Sequence, residues 1–127
     1  MARRTKSAED YLEAIAILEE TGEVTVTGLS RFLGVKKSSV NAAISRLATD
    51  GLVTHQKYGP LQLTKKGEEI ARDIYWRHKL LRHFFRDVLN IDSDIANDEA
   101  CKVEHCLSRE SLEKLDNLIK EIEWSRS

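Results

Sequence analysis

The chain has 127 residues and a net charge of −1. This length suffices for one ordinary domain or for two small ones that share part of their cores, and it excludes a large enzyme. No apolar run reaches the roughly 18 residues of a membrane span, and the basic start MARRTK leads into a charged amphipathic segment rather than an apolar signal sequence. We therefore expect a cytoplasmic protein without a membrane partner. Its two cysteines, Cys101 and Cys106, point in different directions on a predicted helix, so reduced thiols are expected.

The charges are segregated along the chain. Residues 25–66 hold seven of the 20 Lys and Arg and one of the 21 Asp and Glu, a net charge of +6, which leaves a net charge of −7 for the remainder. A basic block inside an acidic protein is typical of a surface that binds the phosphates of nucleic acids. The alternative is that the block is only a solvated face.

The sequence first predicts an amphipathic helix and then a second helix of barely two turns. After Ser7, AEDYLEAIAILEETG carries apolar residues at helical spacing, and Gly22 ends the run. A short extended piece, EVTV, precedes GLSRFLG, for which Thr27 is a candidate cap. The apolar residues of this second helix bury one side before Gly34 forces a turn.

A longer third helix follows, in KKSSVNAAISRLATDG. Val40, Ile44 and Leu47 form its inner stripe, and Gly51 ends it. A short helix, a glycine turn and a longer helix together indicate a helix-turn-helix. LVTHQKYGPLQLT then predicts two strands around a Tyr-Gly-Pro turn, which makes the motif a winged helix-turn-helix.

The outward face of the third helix predicts contacts with double-stranded DNA. Residues near the start of such a helix reach base edges in the major groove, while lysines and the wing contact phosphates. The alternative is that its Ser and Asn side chains only cap and solubilise the helix. The wing candidates are Lys57 and Tyr58. The helix presents Lys36, Lys37, Ser38, Ser39, Asn41, Ala42, Ser45 and Arg46.

The second half of the chain predicts three further helices. After Thr64, a candidate cap, KKGEEIARDIYWRHKLLRHFFRDVL has an uninterrupted helical pattern and predicts a long connecting helix. IANDEACKVEHCLS and RESLEKLDNLIKEIEW predict the other two. Their surplus apolar faces indicate a homodimer, which would match two half-sites on a duplex. Cys106 is expected to pack in the helix interface.

One stretch, EACKVEHCLS, combines three kinds of metal donor. At about 100° per residue, Cys101, Glu104 and His105 fall on one face of a helix. A thiolate, a carboxylate and an imidazole suit a divalent transition ion.

Further candidate donors lie outside that stretch. Asp10 and Glu13 share a face of the first helix, and His78 lies on the connecting helix. Each group also has a plainer interpretation: a solvated Glu-His pair, a core cysteine, or acids that favour a helix N-terminus. Spacing alone does not bring position 10 to position 104.

Six segments match one family in that family's order: SAEDYLEAI, GVKKSSV, DGLV, LTKKGEEIA, RHKLL and NDEACKVEHCLS. Over essentially its whole length the chain resembles the diphtheria toxin repressor and manganese transport regulator family of metal-dependent repressors. The resemblance implies a mostly α-helical fold. A winged helix-turn-helix DNA-binding domain would occupy residues 1–72 and a helical dimerisation and metal-binding domain residues 73–127, without the SH3-like third domain of the iron branch.

The resemblance also implies a ligand set for one or two ions per subunit, with Glu104 bridging if two bind. Asp10 and Glu13 follow the manganese branch whereas Cys101 follows the iron branch, so iron(II) is favoured and manganese(II) is second. Arg82 and Asn97 occupy two positions of the iron branch's ancillary site, which counts against that separate site. The implied ligands are Asp10, Glu13, His78, Cys101, Glu104 and His105.

The implied function is repression of metal-uptake genes when metal is plentiful. In the metal-free state, the carboxylates of Asp10, Glu13 and Glu104 would repel one another; a divalent ion would offset that charge and couple metal binding to DNA binding. Two alternatives stay open. One is a winged-helix regulator that needs no metal. The other is an enzyme with Cys101 as nucleophile and His105 as base, against which no oxyanion donors or substrate pocket are evident.

Overall fold

A computed structural model describes residues 6–56 and 59–126 of the chain. These residues form two compact units, and the boundary between Asp73 and Ile74 falls within a helix. The elements are α1 (Lys6–Glu19), α2 (Val26–Leu33), α3 (Lys37–Thr49), β1 (Val53–His55), β2 (Leu61–Leu63), α4 (Lys65–His83), a π-helical turn (Phe84–Val88), α5 (Ser93–Val103) and α6 (Arg109–Arg126). None of the described helices is long and apolar enough to cross a membrane.

The first unit contains the predicted winged helix-turn-helix. The N-cap of α2 is Thr25, whose side chain accepts a hydrogen bond from the Gly28 backbone N–H at 2.9 Å. The prediction of Thr27 as the cap is therefore wrong, because the helix already begins at Val26. The turn between α2 and α3 depends on Gly34, whose φ of 67° is accessible to glycine at little cost.

The wing is a two-stranded antiparallel sheet in which Val53 pairs with Leu63 and His55 with Leu61. The predicted extended piece before α2 supplies only an isolated bridge, from Val24 to Leu61, with a Leu61 N to Val24 O distance of 2.8 Å. The core of the unit draws residues from every helix and from both strands. Its largest fully buried members are Leu12, Ile15, Val24, Leu29, Val40 and Leu61.

The start of α4 lies against the chain that leads into β1. Thr64 caps α4 as predicted: its hydroxyl accepts from the Gly67 N–H at 3.1 Å and donates to the Gly51 carbonyl at 2.7 Å. Gly67 is buried, and a Cβ added there would lie 2.1 Å from the Leu52 carbonyl oxygen. The position therefore requires glycine because backbone occupies the space of a side chain.

The second unit begins within α4 and departs from the predicted uninterrupted helix. The α-helix ends at His83 and continues as the π-helical turn, in which the Leu89 N–H donates to the Phe84 carbonyl at 3.0 Å. Asn90 then adopts a φ of 58°, which ends the helical path. The apolar pattern continues through the turn, so it does not distinguish π from α geometry.

The core of the second unit is a cluster of buried side chains from α4, α5 and α6. Trp76, Phe84 and Phe85 pack against it. The buried members are Leu80, Leu81, Ala100, Leu112 and Ile119. On the surface of α5 and α6, acidic and basic side chains pair four residues apart: Asp98 with Lys102, Arg109 with Glu113, Glu110 with Lys114, and Asp116 with Lys120.

His83, Asp87 and Glu123 form what we call the carboxylate clasp. The His83 Nδ1 lies 2.7 Å from an Asp87 carboxylate oxygen, and the His83 Nε2 hydrogen-bonds to Glu123 on α6. Glu123 is the main cause of a raised pKa for His83, which partial burial opposes and Asp87 reinforces. Arg86, and then His83, hold the pKa of Asp87 below its ordinary value.

Replacing Gly67 tests the close approach of α4 to Leu52. Gly67→Ala raises helix propensity by about 1 kcal/mol, but we expect net destabilisation of about 1–3 kcal/mol because the methyl group meets backbone. Glu69→Ala, at an exposed position of the same helix, is the control and should stay within about 0.5 kcal/mol. Urea denaturation followed by circular dichroism measures both. An unchanged midpoint for Gly67→Ala would contradict the described contact.

The clasp predicts a pH-dependent contribution to stability. Because folding raises the pKa of His83, the clasp stabilises the folded state fully at pH values below the unfolded-state pKa of about 6.5. This stabilisation is lost as pH rises through the folded-state pKa of His83. Because folding lowers the pKa of Asp87, its stabilisation is present at pH values above the unfolded-state pKa of about 3.9. It is lost as pH falls through the folded-state pKa of Asp87. The contribution of the clasp should therefore be greatest between about pH 4 and pH 6.5.

Hydrogen exchange of the α6 amides in wild-type protein and in His83→Gln measures this contribution. The protection lost in His83→Gln should be larger at about pH 5.5 than at about pH 8.5. His55→Gln, at an exposed position of β1, is the control and should show no such difference. A loss of protection that grows with pH would rule out the clasp.

Candidate metal centre and nucleic-acid interface

The third helix of the first unit exposes the face predicted to meet DNA. Val40, Ile44 and Leu47 are buried as predicted and fix the rotation of α3. The opposite side is therefore turned to solvent. Its exposed residues are Lys36, Lys37, Ser38, Ser39, Asn41, Ala42, Ser45 and Arg46.

The start of α3 is open to solvent. Its N-cap is Lys36, which makes no side-chain cap, and neither Ser38 nor Ser39 takes that role. Helix N-termini carry unsatisfied backbone N–H groups and a partial positive charge, which attract phosphate. Lys65 and Lys66, at the start of α4, are also exposed. The wing candidates Lys57 and Tyr58 lie outside the described residues.

In the second unit, two candidate ligands and an asparagine surround the imidazole of His78 on α4. The His78 Nδ1 lies 2.8 Å from a Glu104 carboxylate oxygen and 3.6 Å from the Cys101 sulfur. On the opposite edge of the ring, the His78 Nε2 lies 2.9 Å from the side-chain amide oxygen of Asn97. One edge of His78 therefore faces the predicted donors and the other faces an amide.

Glu104 is the most buried charged group of this cluster. Its side chain is 2% exposed, and the second carboxylate oxygen lies 3.3 Å from the Nε2 of His105, which is 6% exposed. Glu104 is the C-cap of α5, and His105 lies in the following turn. The prediction that both belong to the helix is therefore wrong, but Glu104 keeps near-helical dihedral angles of −56° and −25°. The backbone carbonyl of Glu104 accepts a hydrogen bond from Arg77 at 3.3 Å.

The two thiols lie in different environments. Cys101 is partly buried beside His78, whereas Cys106 is exposed, with its sulfur 3.8 Å from the Lys102 carbonyl. The expectation that Cys106 packs in the helix interface is therefore wrong. The helix α5 ends at Val103, and Cys106 lies in the turn that follows it, where its side chain is exposed.

The remaining two candidates, Asp10 and Glu13, belong to the first unit. They lie on α1, three residues apart, and both are partly buried. Within residues 6–56 and 59–126, no three His, Cys, Asp or Glu side chains are arranged as a complete ion-holding group. The six-residue ligand set therefore stays a prediction.

The chemistry of the donors in the second unit fits a divalent transition ion. A buried carboxylate is costly unless nearby charge or hydrogen bonding compensates it, and here two imidazoles lie against the carboxylate of Glu104. Imidazole nitrogen, carboxylate oxygen and thiol sulfur together match ions such as iron(II), manganese(II) and zinc.

Sequence reasoning did not identify the roles of Asn97 and Arg77. Asn97 precedes Cys101 by four residues and so shares its face of α5, which is the available signal. Arg77 is adjacent to His78 in sequence, but its bond to the Glu104 carbonyl depends on the packing of α4 against α5.

Family models match both parts of the chain. Residues 4–61 match the model described as iron dependent repressor, N-terminal DNA binding domain. Residues 64–125 match iron dependent repressor, metal binding and dimerisation domain.

Curated relatives cover most of the chain. An uncharacterized HTH-type transcriptional regulator of Methanocaldococcus jannaschii is 38% identical over 113 residues, which cover 87% of this chain and 90% of the relative. The HTH-type transcriptional regulator MntR of Bacillus subtilis is 34% identical over 120 residues, which cover 94% of this chain and 84% of the relative.

Solved structures share the fold. A manganese-dependent transcriptional repressor in complex with manganese is 32% identical with a TM-score of 0.82, over 89% of this chain and 52% of that one. ScaR with bound Zn²⁺ is 26% identical with a TM-score of 0.79, over 89% of this chain and 53% of that one. This chain therefore spans about half the length of these solved chains.

Proposed function

Because the chain belongs to the iron dependent repressor family of metal-dependent transcriptional regulators, which are not enzymes, we propose that it represses metal-homeostasis genes in the cytoplasm by binding palindromic operators as a homodimer. DNA binding is assigned to residues 1–72, and metal binding and dimerisation to residues 73–127. The observation that carries the metal-dependent part is the buried Glu104 carboxylate between His78 and His105, with the Cys101 thiol beside His78.

The proposed DNA contacts follow from the exposed surface of the first unit. Base contacts come from the small and polar groups on α3, and phosphate contacts from the lysines at the helix starts and from the wing. A two-fold dimer presents two copies of α3 to two half-sites. The proposed contact residues are Lys36, Lys37, Ser38, Ser39, Asn41, Ala42, Arg46, Lys57 and Tyr58.

The proposed ligands number six, for one or two ions per subunit: Asp10, Glu13, His78, Cys101, Glu104 and His105. When bound, the ion supplies positive charge that offsets the carboxylates. Carboxylates gathered at one metal site repel one another without that charge. In this proposal, metal binding therefore favours DNA binding. Since coupling between ligands is reciprocal, operator DNA should also tighten metal binding.

Iron(II) is proposed as the first choice of metal and manganese(II) as the second. Cys101 offers a thiolate, which iron(II) accepts more readily than manganese(II) does. Asp10, Glu13, Glu104 and the two histidines form an oxygen and nitrogen set that suits either ion. Relatives named for manganese, such as MntR of Bacillus subtilis and the manganese-bound repressor structure, support manganese as the alternative.

The competing function is a winged-helix regulator that binds DNA without metal. The exposed basic surface of the first unit supports this function equally. The buried Glu104 cluster favours the metal-dependent function, because a carboxylate beside two imidazoles offers oxygen and nitrogen donors that a divalent transition ion accepts.

A DNA-binding titration tests the metal dependence. On a palindromic promoter fragment we expect the affinity in anaerobic iron(II) or in manganese(II) to exceed that in chelator by about 5–150-fold, the usual range of allosteric coupling. Glu104→Ala should remove this gain. Glu99→Ala, at an exposed position of α5, is the matched control and should keep it. Equal affinity in chelator and in both metals would exclude the metal-dependent function.

Cys101→Glu tests the choice of metal. Replacing a soft donor by a hard one should move the ratio of activation by iron(II) to that by manganese(II) toward manganese. The same titration, run with each metal at several concentrations, gives the two midpoints. Cys106→Ser, which changes the exposed thiol, is the control and should leave their ratio unchanged. An unchanged ratio for Cys101→Glu would reject the assignment of selectivity to this residue.

A further inference from the structure

We propose that the contact between Trp76 and Arg109 is a latch that holds the turn between α5 and α6, residues 104–108, and thereby positions His105 for metal binding. This inference rests on the proposed metal-dependent function. The turn carries two of the proposed ligands, Glu104 at its start and His105 next to it. Arg109 is the first residue of α6, and Trp76 lies on α4.

Helix α4 contacts both ends of the turn through two adjacent residues. At the start of the turn, the Arg77 side chain donates a hydrogen bond to the Glu104 carbonyl at 3.3 Å. Just past its end, the guanidinium of Arg109 lies over the Trp76 ring, with its central carbon 4.2 Å from the ring centroid. A guanidinium within about 6 Å of an aromatic centroid is attracted by the electron-rich face of the ring. One helix therefore holds the segment at both ends.

Both members of the latch are themselves held in place. Trp76 packs against the buried core cluster of the second unit. The Arg109 Nε donates to the Glu113 carboxylate at 2.9 Å, one turn further along α6. Because the donors of a guanidinium lie in its plane, this bond leaves the flat face free to stack on the ring. Ser108 accepts a hydrogen bond from the Ser111 N–H at 3.1 Å, so the turn passes directly into the helix that carries the guanidinium.

Among the proposed ligands, His105 depends most on the shape of this turn. His78 lies within α4 and Cys101 within α5, whereas His105 follows the end of α5. The His105 side chain is 6% exposed, with its Nε2 3.3 Å from the Glu104 carboxylate. A ligand on a turn loses backbone freedom when an ion binds, and contacts that hold the turn beforehand reduce that loss. The latch should therefore raise the affinity for metal.

The first test measures the affinity of the full chain for manganese(II), and under anaerobic conditions for iron(II), by competition with a chelator. Arg109→Gln removes the cation from the ring, and we expect the affinity to fall by about 2–5-fold, the equivalent of an exposed cation–π contact. Lys114→Gln, which removes an exposed cation from the same helix, is the control and should not lower it. Loss of a positive charge by itself favours binding of a cation, so simple electrostatics predicts the opposite sign for Arg109→Gln.

The second test asks whether Trp76 and Arg109 act through one contact. Trp76→Leu should lower the affinity at least as much as Arg109→Gln does. Adding Arg109→Gln to Trp76→Leu should then lower it no further, because the contact is already lost. A loss of core packing alone would leave the effect of Arg109→Gln the same in both backgrounds.

Hydrogen exchange in metal-free protein locates the effect. The Cys106 N–H donates to the Val103 carbonyl at 2.9 Å within the turn. Its exchange should be about 2–5-fold faster in Arg109→Gln than in wild type, whereas exchange at Ile119, in the middle of α6, should not change. Equal acceleration at the two amides would show general destabilisation and would overturn the inference.

The outcomes separate the latch from the proposed function. A fall in affinity in Arg109→Gln that is absent in Lys114→Gln and in the Trp76→Leu background supports the latch. An affinity in Arg109→Gln equal to or above that of wild type overturns the latch and leaves the proposed function standing. Failure of both manganese(II) and iron(II) to bind wild-type protein overturns the proposed function, and the inference with it.

Discussion

The second unit depends on how it compensates one buried negative charge. The Glu104 side chain is 2% exposed, and its two carboxylate oxygens are directed at two different histidines. A carboxylate withdrawn from water destabilises a fold unless such partners are held in place. That requirement explains why Ala96 and Ala100 are fully buried, since small side chains let α5 lie close to its neighbours. It also gives Arg77 a role, because its bond to the Glu104 carbonyl fixes the end of α5.

The first unit meets a different constraint, which is to keep a polar helix face in solvent while the opposite face is fixed. The apolar stripe of α3 is buried, and the turn at Gly34 sets the direction of the helix. Leu61 of the wing pairs with Val24 in an isolated bridge. Gly67 lets the first turn of α4 approach the Leu52 carbonyl. The position of α3 is therefore set by backbone contacts and packing, and its outward face stays exposed to solvent.

The sequence predicts those features that depend on local periodicity and chain order. The inner stripe of α3, the Gly34 turn and the Thr64 cap were predicted correctly because each depends on residues within a few positions of one another. The π-helical turn was not predicted, because five residues are too few for the period of the apolar pattern to separate π from α geometry. The bond from Asn97 to His78 spans 19 residues and depends on how two helices pack. Cys106 was misplaced because the helix ends three residues before it.

The ion pairs within the exposed surfaces of α5 and α6 have a consequence for how the protein searches a genome. Lys102, Arg109, Lys114 and Lys120 are each held by an acid on the same helix, so binding phosphate would first require breaking an ion pair. Lys36 and Lys37, at the start of α3, have no acidic residue in the first turn of that helix, whereas Lys65 and Lys66, at the start of α4, have Glu68 in theirs. Counterion release on DNA binding then comes mainly from the first unit. Each such phosphate contact lowers the logarithm of the affinity by about 0.9 per tenfold rise in salt, so ionic strength governs how long the protein stays on non-operator DNA.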